Sequence, residues 1–255
     1  MKFSHRVVPA VLLALMTGQM ALAQEDAREI FEQATGQLLT ENFELVMEME
    51  VTDRRGRVKE KEFNVLMASF GETRKTRVTW QKPERAKGTT VIISDPEDEN
   101  GTIEVFTPSN GKTRKLKATP KNLERVGSEF GMDGMLNQNP EELTFRLLEQ
   151  TEIDSIPCFH IEVKPIDGED ESRGELWIEK TSHRIVRVAV FDGNGKQTSL
   201  ATLSDYQPVD GLAQKSQPMR IVREDFESKE QTDLRVLKIL SRQDLGEEDF
   251  VLTSM

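Results

Sequence analysis

Between residues 43 and 51 the chain reads FELVMEMEV, with an apolar side chain at every odd position: Phe43, Leu45, Met47, Met49 and Val51. The period is that of a β-strand, in which successive side chains point to opposite faces. Glu44, Glu48 and Glu50 then look toward water. A strand patterned in this way requires a sheet with one dry and one wet face, and the question becomes what the dry face covers.

The same pattern recurs along the chain. DRRGR supplies a turn, and VKEKEFNVLMA follows with Phe63, Val65 and Met67 in phase, so the two stretches form a hairpin. TRKTRVTW, GTTVIIS, GTIEVF and KTRKLK come next at close intervals, the last two joined by the turn signal PSNG. Strand patterns resume at TFRLLEQTEI and continue through CFHIEVKP, GELWIEK, RIVRVAVFD, QTSLATLSDY, PMRIVRE and DLRVLKIL. About twelve to thirteen strands with few helices predict a mainly β domain, large enough for its sheet to curl. Hydrophobic residues make up only 36% of the chain, which fits a sheet with one solvated face.

Two segments depart from the strand pattern. DAREIFEQATGQLL places Ile30, Phe31, Ala34 and Leu38 at helical spacing, with Asp26 as cap and Glu29 answering it. Between Thr119 and Glu142, Thr119-Pro120 and Asn139-Pro140 read as helix starts. GSEFGMDGML lies between them, where Phe130, Met132, Met135 and Leu136 sit among glycines. Apolar groups on a glycine-rich connection predict a movable cover over something greasy.

The opening stretch, MKFSHRVVPAVLLALMTGQMALAQ, has Lys2 and Arg6 ahead of a short apolar run and then Ala21-Leu22-Ala23. This predicts a secretory signal peptide over residues 1–23, cut after Ala23, with one domain over 24–255. With no cysteine beside the cut, the expected product is periplasmic and not lipid-anchored. Cys158 is the sole cysteine, so no intramolecular disulfide can form. His160 and His183 are the only histidines beyond the cut, too few for an all-Cys/His metal centre.

A net charge of −11 makes nucleic acid an unfavourable partner. Residues 54–125 nevertheless carry seventeen bases against ten acids. That basic middle either is an ordinary solvated hairpin surface or faces anionic lipid or an acidic protein patch, with Arg54, Arg55 and Arg57 as the docking group.

Motifs that suggest chemistry fail on their context. NGKT at 110–113 has Phe106 where a phosphate-binding loop needs glycine, and it reads as a hairpin turn. GNGK at 193–196 fails likewise at Val190. Cys158 and His160 share a strand face, but Glu162 and Lys164 continue it, which describes an outward polar row better than a metal site. Neither a G-x-S-x-G elbow nor H-E-x-x-H occurs. No catalytic constellation, metal site or cofactor is expected, and no enzyme activity.

KGTTVIIS, VFTPSNGKTRKL, GSEFG, CFHIEVKP, LWIEKTSHRIVRVAVFDGNGK and LSDYQPVDG, in this order, resemble the outer-membrane lipoprotein-sorting proteins, the LolA/LolB-like family of periplasmic carriers. The resemblance spans roughly residues 43–240. It implies an unclosed antiparallel half-barrel whose hydrophobic concave side is covered by helices and binds acyl chains. Family members shuttle lipid-modified proteins or other lipophiles between membranes, and some accompany exporters of lipophilic compounds. On this likeness Phe43, Leu45, Met47, Met49, Val51, Phe63, Val65, Met67, Val78 and Trp80 would line the hollow, with Phe130, Met132, Met135 and Leu136 as the lid. The implied partners are a lipid or acylated lipoprotein cargo, an inner-membrane exporter, an outer-membrane acceptor and transient membrane contact. Two readings stay open: a carrier, or an accessory protein of an export pump or envelope complex that has no cargo of its own.

Overall fold

The computed structural model describes residues 27–39, 42–96, 101–119, 122, 140–149, 151–166 and 172–252. The expected signal peptide and the lid residues Phe130, Met132, Met135 and Leu136 lie outside these. Fourteen strands form one sheet. They are β1 (Phe43–Thr52), β2 (Val58–Phe70), β3 (Thr73–Lys82), β4 (Thr90–Pro96), β5 (Thr102–Thr107), β6 (Lys112–Lys117), β7 (Leu143–Leu147), β8 (Thr151–Ile153), β9 (Ile156–Pro165), β10 (Arg173–Glu179), β11 (Ile185–Phe191), β12 (Gln197–Val209), β13 (Leu212–Asp225) and β14 (Glu230–Ser241). The order is β6-β5-β4-β3-β2-β1-β14-β13-β12-β11-β10-β9-β7, with β8 also on β9. Among the described residues β6 and β7 end the sheet, which is not closed. The expected mainly β, unclosed architecture is found, and TFRLLEQTEI proves to be two strands, β7 and β8, where one was expected.

The residues fall into two compact units, 1–35 with 138–196, and 36–137 with 197–255. In the first, the helix α1 (27–36) buries Ala27, Ile30, Phe31 and Ala34, as its spacing predicts. Phe31 packs against Phe145 of β7 with ring centroids 5.1 Å apart. Cross-strand register aligns Leu147, Ile161, Leu176 and Val188 over β7, β9, β10 and β11. Ile161, Leu176 and Val188 are buried, each contributing about 1.5–3 kcal/mol, and with the apolar side of α1 they form much of the unit's core.

The other face of β9 carries the polar row, but it is less wet than its sequence suggests. Glu162 is 7% exposed and receives two hydrogen bonds from Arg146, at 2.9 and 3.2 Å. Burial pushes its carboxyl up, and the Arg146 hydrogen bond with the charges of Arg146, Lys164 and Arg173 outweighs this, leaving it below the ordinary value. His160 Nε2 lies 3.0 Å from Glu175 Oε2, and the imidazole stacks on Trp177 at 4.3 Å. Cys158, expected on an outward row, is fully buried between Thr151 of β8 and Glu179 of β10. The extra strand β8 pairs beside it, and burial raises its thiol.

In the second unit the first strand lies beside the last. β1 pairs with β2 on one side and β14 on the other. Residues 36–39 lead into it tied to β13: Ser216 N donates to Gln37 O, Lys215 Nζ to the carbonyls of Gly36 and Leu38, and Gln217 Nε2 to Leu39 O. PSNG is the expected turn, a 3-10 turn over Pro108–Asn110 closed by Gly111 at φ 62°, a left-handed conformation that favours glycine.

The outer face of this unit corrects the expectation of a wholly solvated side. Leu66, Ala68 and Phe70 of β2 and Ile92 of β4 form a second apolar cluster, roofed by Leu245, Phe250 and Leu252. Phe250 ends the 3-10 helix Glu247–Phe250 and meets Phe70 edge-on at 5.6 Å. Lys75 Nζ holds Glu247 at 2.7 Å and Arg77 donates to the carbonyl of Asp249 at 2.9 Å. β2 is apolar in both phases over its second half, so it needs cover on both sides.

Candidate functional site

The ten residues expected to line a hollow come together. Phe43, Met47, Met49, Phe63, Val65 and Val78 are buried in one cluster, and Leu45, Val51, Met67 and Trp80 pack against it partly exposed. Register explains the gathering. Met47 faces Phe63, which faces Trp80; Leu45 faces Val65, which faces Val78. Residues directly opposite in antiparallel strands share a face, so a period-two pattern on three strands becomes a continuous apolar area.

Leu39, Ile221, Leu234 and Val236 belong to the same cluster and were not singled out from sequence. PMRIVRE and DLRVLKIL show their alternation, but nothing in one sequence reveals that β14 lies beside β1. There Met47 faces Val236 and Met49 faces Leu234. Leu39 carries no strand signal; its place follows from the tie to β13. On β2 the stripe stops at Lys61 and Lys59, opposite Met49 and Val51.

Such a face can act only by burial and dispersion. Its ten expected members carry no titratable group, and Met47, Met49 and Met67 are unbranched thioethers able to repack around different shapes. The centre is dry, with Phe63 at 0% exposure, and Leu45, Val51, Met67 and Trp80 form a partly exposed margin. Among the described residues no group of three or more His, Cys, Asp and Glu is placed to hold a metal ion. None of their helices is long and apolar enough to cross a membrane.

The basic middle is partly compensated inside the protein. Lys75 and Arg77 hold the C-terminal segment, Lys82 lies 2.7 Å from Glu62, and Lys115 lies 2.8 Å from Glu104. Of the three arginines in the first turn, Arg54 and Arg55 are exposed, while Arg57 Nε donates to Asp53 Oδ2 at 2.7 Å. That hydrogen bond, with backbone donors from Arg55 and Arg57, holds the Asp53 carboxyl down at about 2.

The fold has counterparts among solved structures. An outer membrane lipoprotein-sorting protein domain from Vibrio parahaemolyticus superimposes with a TM-score of 0.71 at 16% identity, over 89% of this chain and 97% of its own. A DUF1329 family protein from Desulfovibrio piger gives 0.74 at 15% identity, over 90% and 98%. A LolA superfamily protein from Nitrosomonas europaea gives 0.62 at 17%, over 88% and 97%. These likenesses define the fold as LolA-like, the class that the sequence resemblance indicated. A family model described as "Uncharacterized protein" matches residues 72–255, and the chain belongs to that family. No curated protein matches the sequence.

Proposed function

We propose that the protein is a periplasmic carrier that holds an acyl-bearing ligand, a lipid or a lipid-modified protein, on the apolar face built around Met47, Met49 and Phe63. The observation that carries this reading is the single cluster formed by all ten expected residues, with three methionines among them and a partly exposed margin. The LolA-like fold supports it. In this reading residues 1–23 are an export signal and 24–255 one domain, and Phe130, Met132, Met135 and Leu136 form the cover. The ligand enters at the margin of Leu45, Met67 and Trp80 and displaces methionine side chains, with no bond made or broken. Each methylene removed from water contributes about 0.8 kcal/mol, so one chain supplies several kcal/mol after ordering costs. Cargo passes from an inner-membrane donor to an outer-membrane acceptor.

Purified protein extracted with organic solvent and examined by lipid mass spectrometry tests the reading. Co-purifying acyl lipid, displaced by an added fluorescent acyl probe, is the expected result. Extracts free of lipid together with no probe binding would overturn it. The accessory-protein reading has a narrower base, the exposed Arg54 and Arg55. Charge reversal at these two residues weakens partner capture and spares probe binding if they dock an envelope complex.

A further inference from the structure

We infer that Arg114 and Lys112, on the free edge strand of the sheet, take the anionic group of the acyl ligand. The inference rests on the carrier reading and adds the ligand's charge and its direction along the face.

Cross-strand register leads there residue by residue. Leu45 on β1 faces Val65, Val65 faces Val78, Val78 faces Val91, Val91 faces Val105, and Val105 faces Arg114 on β6. Five apolar side chains on five consecutive strands thus end on one guanidinium, all on the same face. Lys112 stands two residues away on that face, opposite Thr107. Every residue of β6 is exposed. Five interstrand steps of about 4.8 Å make the row ~24 Å long. One acyl chain fills about half of a hydrocarbon core roughly 30 Å thick, or ~15 Å. A single chain is therefore shorter than the row, and with its polar end at β6 it lies along Val91, Val78 and Val65, which are 3–4% exposed, by displacing what covers them.

The opposite face of the same strand shows what a merely structural cation does. Lys115 faces Glu104, and Nζ and Oε1 are 2.8 Å apart, so its charge is matched within the hairpin. Arg114 and Lys112 instead face Val105 and Thr107, which carry no charge. A guanidinium at the end of an apolar row presents a planar fork of donors that matches a carboxylate or a phosphate. The turn before it is fixed, with Asn110 Oδ1 accepting from Lys112 N at 3.0 Å, so the edge is held in place before a ligand arrives. The shared chemistry is an anionic oxygen group on an acyl chain, whether the carboxylate of a fatty acid or the phosphate of a phospholipid.

Three probes test this on the purified full chain: a fluorescent fatty acid, its methyl ester, and lysophosphatidic acid read by displacement of the ester. K112Q/R114Q is expected to weaken both anionic probes about tenfold or more, the effect of losing charge-assisted hydrogen bonds, with ester affinity unchanged. K115Q is expected to leave all three alone. A greater loss for lysophosphatidic acid assigns the phosphate, and a greater loss for the fatty acid assigns the carboxylate. Ester binding together with unchanged affinity of the anionic probes in K112Q/R114Q overturns the assignment and leaves the carrier standing, as does an ester that weakens as much as the anions. Absence of ester binding in the unmutated protein removes the carrier reading, and the assignment falls with it.

Discussion

Phe63 meets Trp80 edge-on across β2 and β3, with ring centroids 5.2 Å apart and planes at 76°. The contact joins a fully buried ring to one at the margin of the apolar face, and so couples the packed centre to that partly exposed margin.

Phe63→Ala is therefore expected to destabilise the protein by about 3–5 kcal/mol, the loss of a buried aromatic plus the cavity it leaves. Urea unfolding followed by tryptophan fluorescence measures it. A loss under ~1 kcal/mol would mean that the ring is not part of a close-packed centre.

Met49→Leu separates core from binding face. A swap that nearly conserves volume costs less than about 1.5 kcal/mol in stability. If adaptability at Met49 matters, acyl-probe affinity still falls several-fold, because a branched side chain repacks less readily. Affinity unchanged alongside unchanged stability would make Met49 plain core.

Phe250→Ala uncovers Phe70, Ala68 and Ile92 on the outer face, and about 3–4 kcal/mol of stability should go with it. Lys75→Gln removes the ion pair to Glu247, whose side chain is 70% exposed, and the contact of Nζ with the Phe70 ring at 5.4 Å, and is expected to cost about 1 kcal/mol. Thermal unfolding of the two variants side by side checks the ranking; a larger effect from Lys75→Gln would reverse the assignment of apolar cover as the main attachment.

The Asp53 carboxylate, held at about 2 by its hydrogen bond to Arg57, lies below its ordinary value of 3.8. A folded value below the unfolded one stabilises the protein above the unfolded value, and the contribution is lost as pH falls from about 4 toward 2. Asp53→Asn should flatten the acid limb of the stability curve in that window, with the variant less stable than the unmutated protein at neutral pH and equal to it near pH 2. Following the carboxyl by NMR across the same range reads the value directly, and a midpoint near 3.8 would remove the hydrogen bond as its cause.

Much of this was legible in the sequence because alternation is local. Each of the ten stripe residues announces its face through its immediate neighbours, and once strands pair in register the stripe assembles without further information. Partnership between distant segments is another matter. Leu66, Ala68 and Phe70 are as regular as Phe63, Val65 and Met67, but the two phases compete, and only the C-terminal segment carrying Leu245, Phe250 and Leu252 shows why both are apolar. Cys158 was misplaced for a related reason: its own strand reads correctly, but the strand paired beside it, β8, is three residues hidden inside a longer run. Lys75 and Arg77 were only part of the basic middle in the sequence, because their partners, Glu247 and the Asp249 carbonyl, lie 172 residues away.

The pairing of β1 with β14 has a bearing on how the molecule is made. A strand that leaves the ribosome early must wait for one synthesised nearly two hundred residues later before both its edges are satisfied, and contacts of such long range are slow to form. Until then Met47 and Met49 lack their neighbours Val236 and Leu234. Self-assembly can finish only after synthesis does, and the nascent chain needs shielding from aggregation during that interval.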